Sequence, residues 1–215
     1  MTTETKIIKK QIEGIRLSLG SILLTLCCTF LIILATFVQL NVSHFIIPKG
    51  LFDGSDLAFK DFIYTYKFIP QIPIVMFVGA FLGRKFGTVS ILLYILLGIC
   101  IIPVFALGGG FKYIFEYGFG YILAYIPAIF FAGSILKSGF SNKNILKATI
   151  VGVLTIHLIG ILYMLFIASI KHEGWTFISG WICAQSGIKI IYDLVFSFAG
   201  LFLARYAKII LWFFM

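Results

Sequence analysis

Gly108-Gly109-Gly110-Phe111-Lys112-Tyr113, continuing to Tyr117-Gly118-Phe119-Gly120-Tyr121, is the stretch on which the reading of this chain turns. An apolar run lies on either side, residues 88–107 before it and 118–136 after it, each about long enough to cross a bilayer. Three consecutive glycines give a backbone that turns sharply, adopts positive φ and lets a ligand or a neighbouring helix come close to its N–H groups. Aromatic residues interleave with them, so the loop also carries flat apolar faces. Two readings stand side by side: a cap over a small-molecule pocket at one membrane face, and a tight connector between two spans.

The 215 residues are 61% hydrophobic and only 12% charged, with a mean hydropathy of +1.10. A soluble domain carries about 25% charged residues, so the composition is that of a polytopic membrane protein. The apolar runs are long and do not alternate strictly, which points to helices as the spanning elements. The net charge of +9 sits in short basic caps between apolar runs. That distribution serves topology and sets nucleic acid aside. Cys27, Cys28 and Cys100 lie inside apolar runs as small hydrophobes, and Cys183 is alone in a loop. Neither a disulfide framework nor a metal-ligand spacing is present in the sequence, and no metal or cofactor is expected. The first apolar run lacks a small-x-small cleavage site and reads as a retained span.

The expected architecture is all-α and integral to the membrane, one domain over 1–215 with six transmembrane helices. The spans fall at 17–38, 68–83, 88–107, 118–136, 148–170 and 188–212. Before the first, residues 1–16 are polar and basic, with Lys6, Lys9, Lys10 and Arg16. Between the first two spans lies a long mixed loop, residues 39–67, in which Ser55 or Asp56 is suited to cap a short surface helix. Long ordered loops are usually functional, with lids among the common cases. The second span is short. Its sixteen residues reach only about 24 Å as a helix, against a hydrocarbon core of roughly 30 Å. It also contains Pro70, Gln71 and Pro73, and irregular backbone at membrane depth is tolerated only where protein or a cavity covers it. A second mixed loop, 171–187, holds Trp175 and Trp181, which suit the membrane interface. Eleven of the seventeen Lys and Arg fall in the N-terminal segment, at Arg84-Lys85, in 137–147, and at Arg205 and Lys208, with only Glu4 and Glu13 as acids on that side. The positive-inside rule then places both termini in the cytoplasm and turns the glycine stretch outward.

No enzyme constellation appears in the sequence: neither His-Glu-x-x-His, nor paired intramembrane acids, nor a Gly-x-Ser-x-Gly turn. No catalytic residue is assigned, and the chain does not read as an enzyme. A Walker lysine motif is likewise missing, so ATP-driven transport needs other subunits. His157, the one histidine within a span, is expected to bond a neighbouring helix. Candidates to line an outward pocket are Gln71, Tyr94, Tyr117, Tyr121 and Asp193, together with Gly108, Gly109 and Gly110. An amide, phenols and a carboxylate can orient a polar solute while aromatic walls bury its apolar body. Lys189, four residues before Asp193, shares a helix face with it. The tyrosines equally suit interface anchoring, and Asp193 is also tolerated near a span end without any function. On the first span, Gly14 and Ser18, then Ser21, Thr25 and Thr29, form a small-residue face. Such a face serves either packing within the bundle or docking of a partner subunit.

Gln71-Ile72-Pro73-Ile74-Val75-Met76-Phe77-Val78-Gly79-Ala80-Phe81-Leu82-Gly83, Leu92-Leu93-Tyr94-Ile95-Leu96-Leu97-Gly98, Pro103-Val104-Phe105-Ala106-Leu107-Gly108-Gly109-Gly110 and Gly118-Phe119-Gly120-Tyr121 follow in order. This order, over about residues 68–136, resembles the biotin-specific S components (BioY) of energy-coupling factor (ECF) transporters. The resemblance implies a subunit in a bacterial-type plasma membrane that captures biotin from outside for ATP-driven import. It implies as partners a transmembrane coupling subunit, docked on a face such as Ser21/Thr25/Thr29, and two cytoplasmic ATPases. In that family an Asp and a downstream Lys on the sixth span help to bind biotin. Here Ile191-Tyr192-Asp193-Leu194-Val195-Phe196-Ser197 keeps the Asp but lacks the preceding Pro-Gly and the downstream Lys, and Lys189, one turn upstream, is placed to stand in. An S component for another small solute, or a non-transporting membrane scaffold, are the alternative readings.

Overall fold

The computed structural model describes residues 18–54, 57–106 and 108–214. The basic segment with Lys6, Lys9, Lys10 and Arg16, the small residue Gly14, the cap candidates Ser55 and Asp56, and Leu107 lie outside the described residues. Helix α1 (Leu19–Phe37) starts where the Ser18 hydroxyl accepts the backbone N–H of Ser21 at 3.2 Å. The chain then leaves helix altogether. Strands β1 (Leu40–Phe45) and β2 (Ile63–Phe68) form an antiparallel hairpin, Leu40 opposite Phe68 and Phe45 opposite Ile63. This corrects the all-α expectation. Ile63-Tyr64-Thr65-Tyr66-Lys67-Phe68 is built of β-branched and aromatic residues, and a loop that must satisfy its own backbone does so best as a ladder. The hairpin rests on the last helix: Tyr192 stacks on Tyr66 at 5.3 Å and its hydroxyl bonds His44, while Phe68 stacks on Phe196 at 5.0 Å.

Helix α2 (Gln71–Cys100) covers what the sequence divides into two spans, and it is broken at Gly83, where φ is 75° and ψ 175°. A Cβ on Gly87 would lie 3.1 Å from the Cα of Gly79. Residues eight apart in a straight helix are separated by about 12 Å, so the chain reverses at Gly83 into two antiparallel legs, 71–82 and 84–100. Helices α3 (Phe119–Leu123) and α4 (Tyr125–Leu136) run on through Ala124, which keeps helical angles. Helix α5 (Asn142–Ile170) begins earlier than expected, since the Ser141 hydroxyl caps it by accepting the N–H of Asn144. The expected second mixed loop is instead largely helix α6 (Trp175–Ser186), followed after Gly187 by α7 (Lys189–Phe214). Among the described residues, five helical stretches are long and apolar enough to cross a membrane, α2 counting as one of them.

In the bundle α2 packs against α1, α4 and α7, and α5 packs against α3, α4 and α7. Without a hydrophobic drive between helices in lipid, close contact at small residues holds such a bundle together. A Cβ on Gly152 would come 2.3 Å from Met76 Cε, and one on Gly79 would come 2.7 Å from Ile129.

The face Ser21/Thr25/Thr29 belongs to this interior packing. Thr25 and Thr29 are buried, Thr29 Oγ1 donates to the Ser90 carbonyl at 3.3 Å, and Ser90 Oγ donates to the Thr25 carbonyl at 3.1 Å. The docking role assigned to Thr25 and Thr29 is therefore corrected: the second leg of α2 already covers them, and only Ser21 is partly open. Thr25→Leu is expected to lower stability by about 1–3 kcal/mol through overpacking. The midpoint of thermal unfolding in detergent checks this, and an unchanged midpoint would return the face to a partner.

Candidate functional site

Beneath the hairpin lies a cavity of about 290 Å³, at the lower end of the roughly 300–1,000 Å³ typical of small-molecule sites. Gln39 and Ile69, at the roots of the two strands, form one wall, with Gln71 and Ile72 at the start of α2. Ala106 and Tyr113 come from the glycine loop, Tyr121, Ile122 and Tyr125 from α3 and α4, Trp181 and Gln185 from α6, and Lys189 from the first turn of α7. Phenols and an indole supply flat faces, three amides supply both donors and acceptors, and Lys189 is the cation.

Gln71, Tyr121 and Lys189 are thus on the cavity wall. Two further candidates stand one side chain behind it. Tyr94 is fully buried and receives the Gln71 Nε2 hydrogen bond at 2.6 Å; the same amide also donates to Thr36 Oγ1 at 3.0 Å. Asp193, also fully buried, accepts Lys189 Nζ at 2.6 Å. The remaining candidates do not reach the cavity. Tyr117 is not on the wall: its ring lies 6.1 Å from that of Trp181, it donates to Glu173 at 2.6 Å, and Lys171 Nζ sits 4.3 Å over its ring. That hydrogen bond pushes its phenol up to about 12, so it stays a donor.

Gly108, Gly109 and Gly110 are not among the residues that line this cavity. The loop folds back on the end of α2 instead. Phe105 and Gly108 exchange backbone hydrogen bonds at 2.9 and 3.0 Å, and Gly110 N–H donates to the Gly98 carbonyl at 2.8 Å. The turn uses positive φ at Gly108 (122°) and Gly110 (85°). Its product is the placement of Phe105, almost fully buried, with its ring where a Cβ on Gly98 would be.

Behind Lys189 runs a hydrogen-bonded chain that the sequence did not announce. Tyr121 and Ser186 hydroxyls are 2.6 Å apart, Ser186 Oγ lies 2.9 Å from His157 Nδ1, and His157 Nε2 lies 3.1 Å from Asp193 Oδ2. Every link is satisfied when Tyr121 donates to Ser186, Ser186 to Nδ1, and Nε2–H to the carboxylate. This tautomer is assigned from the network. His157 is 2% exposed, so its partners have no water to compete with them. His157 does bond neighbouring helices, as its isolation among apolar residues led one to expect. Its place between Ser186 and Asp193, the partners of the wall residues Tyr121 and Lys189, was not foreseen, because they are 29 and 36 residues away. Gln39, Tyr113, Tyr125, Trp181 and Gln185 were missed likewise, having no spacing that ties them to one another. Packing fixes the wall: a Cβ on Gly160 would meet the Tyr121 ring at 2.5 Å, and one on Gly120 would meet Tyr163 Cβ at 2.2 Å.

The arrangement is that of a helical membrane protein with an aromatic-walled cavity beside the roots of a hairpin, its polar side formed by Lys189 paired with buried Asp193. The family model described as "BioY family" matches residues 9–211, and the chain belongs to that family. It is 32% identical over 99 residues to a "Probable biotin transporter BioY" of Lysinibacillus sphaericus, covering 45% of this chain and 50% of that protein. A protein of the same description from Pyrococcus horikoshii is 40% identical over 95 residues, covering 44% and 56%. The chain thus matches about half the length of these curated relatives. Its fold is similar to the crystal structure of the S-component for biotin from an ECF-type ABC transporter. There the TM-score is 0.63 at 19% identity, over 97% of this chain and 94% of that one.

Proposed function

We propose that this protein is the substrate-capture S component of a biotin uptake transporter, a multi-pass protein of a bacterial-type plasma membrane. The observation that carries this reading is the aromatic-walled cavity whose polar side is Lys189, held by buried Asp193, in a chain of the BioY family. The bicyclic ring would lie against Trp181 and Tyr121, with Gln39, Gln71 and Gln185 offering hydrogen bonds to its ureido group. Lys189 would meet an acceptor on the ligand, either the valerate carboxylate or a carbonyl. Asp193 is a positioning residue in this reading. Lys189 and Asp193 are 2.6 Å apart and would serve the same end of the ligand.

Six spans follow if α1, the two legs of α2, α3 with α4, α5, and α7 each cross the membrane. The basic excess at Arg84-Lys85, 137–147, Arg205 and Lys208 supports cytoplasmic termini and an outward cavity. The whole chain would be one membrane domain. Because the sequence has no ATPase motif, import would need a transmembrane coupling subunit and cytoplasmic ATPases. Equilibrium binding of labelled biotin to the purified chain, competed by a panel of vitamins, tests the reading. One equivalent bound, displaced by biotin before any other vitamin, is expected. Capture of a different vitamin would keep the S-component reading and remove biotin, and no capture at all would favour a scaffold.

A further inference from the structure

The opposite end of the first leg of α2 carries a second cavity, of about 430 Å³, around the break at Gly83. Twelve helical residues, about 18 Å, separate it from the start of α2 at Gln71, so it is distinct from the site above. Arg84 and Lys85 line it from the second leg, Lys137 from beyond α4, and Lys208 from α7. Among the described residues none of these four cations is paired with a carboxylate, since Lys189 and His157 with Asp193 form the ion pairs found there. Two are instead held against aromatic rings: Arg84 lies 4.6 Å over Phe130 and also reaches Ser134 Oγ at 3.4 Å, and Lys208 Nζ lies 4.8 Å over Phe140. Four side chains drawn from three separate helical segments thus converge on one hollow with no anion to balance them.

The backbone brings ends of both signs, since the first leg of α2 and α4 finish at this hollow with their carbonyl ends, at Leu82 and Leu136. A helix that restarts after Gly83 leaves its first N–H groups without intrahelical acceptors and presents the positive end of its dipole, and Gly83, Arg84, Lys85 and Phe86 all line the cavity. The remainder of the lining is apolar, with Ala80, Leu82, Leu136 and Phe140. On the neighbouring helices α4 and α7 the large apolar side chains Phe130, Phe131 and Leu203 are exposed. A charged pocket that opens among lipid-facing residues at helix ends matches a phosphate on an acyl chain better than a freely dissolved anion.

We propose that this cavity binds the phosphate headgroup of an anionic membrane phospholipid, and it does so whether or not biotin is the ligand at the other end. The phosphate takes the place of the missing counter-anion between Arg84, Lys137 and Lys208, and the acyl chains run along α4 and α7. Bound lipid ties α2, α4 and α7 together where the two legs turn.

The test uses the full chain in neutral detergent, titrated separately with phosphatidylglycerol, phosphatidylcholine and inorganic phosphate. Native mass spectrometry reads retained lipid, and the thermal midpoint reads stabilisation. Phosphatidylglycerol is expected to be retained and to raise the midpoint, with phosphatidylcholine and inorganic phosphate having little effect. Lys137→Gln and Lys208→Gln are each expected to weaken phosphatidylglycerol roughly fivefold, and the exposed Lys137 carries the test should Lys208→Gln fold poorly. Lys143→Gln and Lys147→Gln, basic on the same side but not lining the cavity, are expected to leave it unchanged. Equal binding of both lipids, or equal losses in the two sets of variants, overturns the proposal. A midpoint raised as far by inorganic phosphate moves the site to a soluble anion and overturns the lipid assignment.

Discussion

Asp193→Asn is expected to weaken biotin capture by roughly two orders of magnitude, about 3 kcal/mol, the low end of the cost of breaking a buried ion pair. The reason lies in what the carboxylate holds. Its Oδ2 accepts both Lys189 Nζ and His157 Nε2, while its Oδ1 has no partner and no exposure. An asparagine can turn its carbonyl toward those two donors, but its NH₂ then sits at the orphan position, and a buried unsatisfied donor costs roughly 1–3 kcal/mol. The charge that fixed Lys189 is gone as well. Part of the loss should therefore appear as lower stability, and part as a lysine no longer aimed at the ligand.

These two parts can be separated. Lys189→Met with Asp193→Leu removes both charges together, and replacing a buried pair by apolar residues is often neutral or stabilising. The double variant still leaves His157 Nε2–H without its acceptor, so it is expected to regain part of its thermal midpoint and none of its affinity, as read by labelled-biotin binding. If Lys189 meets the valerate carboxylate, Lys189→Met alone penalises free biotin more than an amidated analogue. Equal losses for acid and amide would assign the lysine to the ureido carbonyl instead. Recovery of affinity in the double variant would remove the pair from capture altogether.

How much of this was legible in the sequence depends on whether the signal is local. Apolar runs and basic caps point to the long helices, because lipid demands both, but not to their ends: α5 starts at Asn142 and the second leg of α2 stops at Cys100. The break at Gly83 is visible in Gly83-Arg84-Lys85, a turn residue followed by two cations. The Lys189–Asp193 pair is a four-residue spacing on one helix and could be read directly. The hairpin was hidden by its setting, since six-residue strands inside a long loop between spans carry little weight against the hydropathy around them. Helix α6 was hidden because Gln185, Ser186 and Gly180 dilute its apolar run. The chain from Tyr121 through Ser186 and His157 to Asp193 joins α3, α6, α5 and α7, and only the tertiary fold brings those together. The glycine triplet was read for its freedom to approach a ligand, whereas its neighbours show that the close approach is to its own helix.

Gly109→Val is expected to abolish biotin capture while the protein still inserts in the membrane. A Cβ at Gly109 would stand 2.6 Å from the Gly98 carbonyl oxygen and 2.6 Å from the Pro103 Cα. Both are backbone, so neither can rotate away and the loop must lift off the end of α2. Lifting it strains the Gly110-to-Gly98 hydrogen bond and frees Phe105, whose ring lies 5.3 Å from Tyr94 and 4.7 Å from Tyr113. Tyr94 in turn holds the Gln71 amide, and Gln71 and Tyr113 are cavity wall. Overpacking typically costs about 1–3 kcal/mol, and a backbone neighbour puts this site at the upper end. Gly110→Ala is the control, because nothing lies within 4 Å of its Cβ and only its backbone, φ 85° and ψ 174°, resists a side chain, for about 1–3 kcal/mol. It is expected to lower the thermal midpoint while capture stays near wild type. Equal loss of binding in both variants would mean that conformational freedom matters more than the seat on Gly98. Wild-type binding by Gly109→Val would leave the stretch a plain connector between two helices.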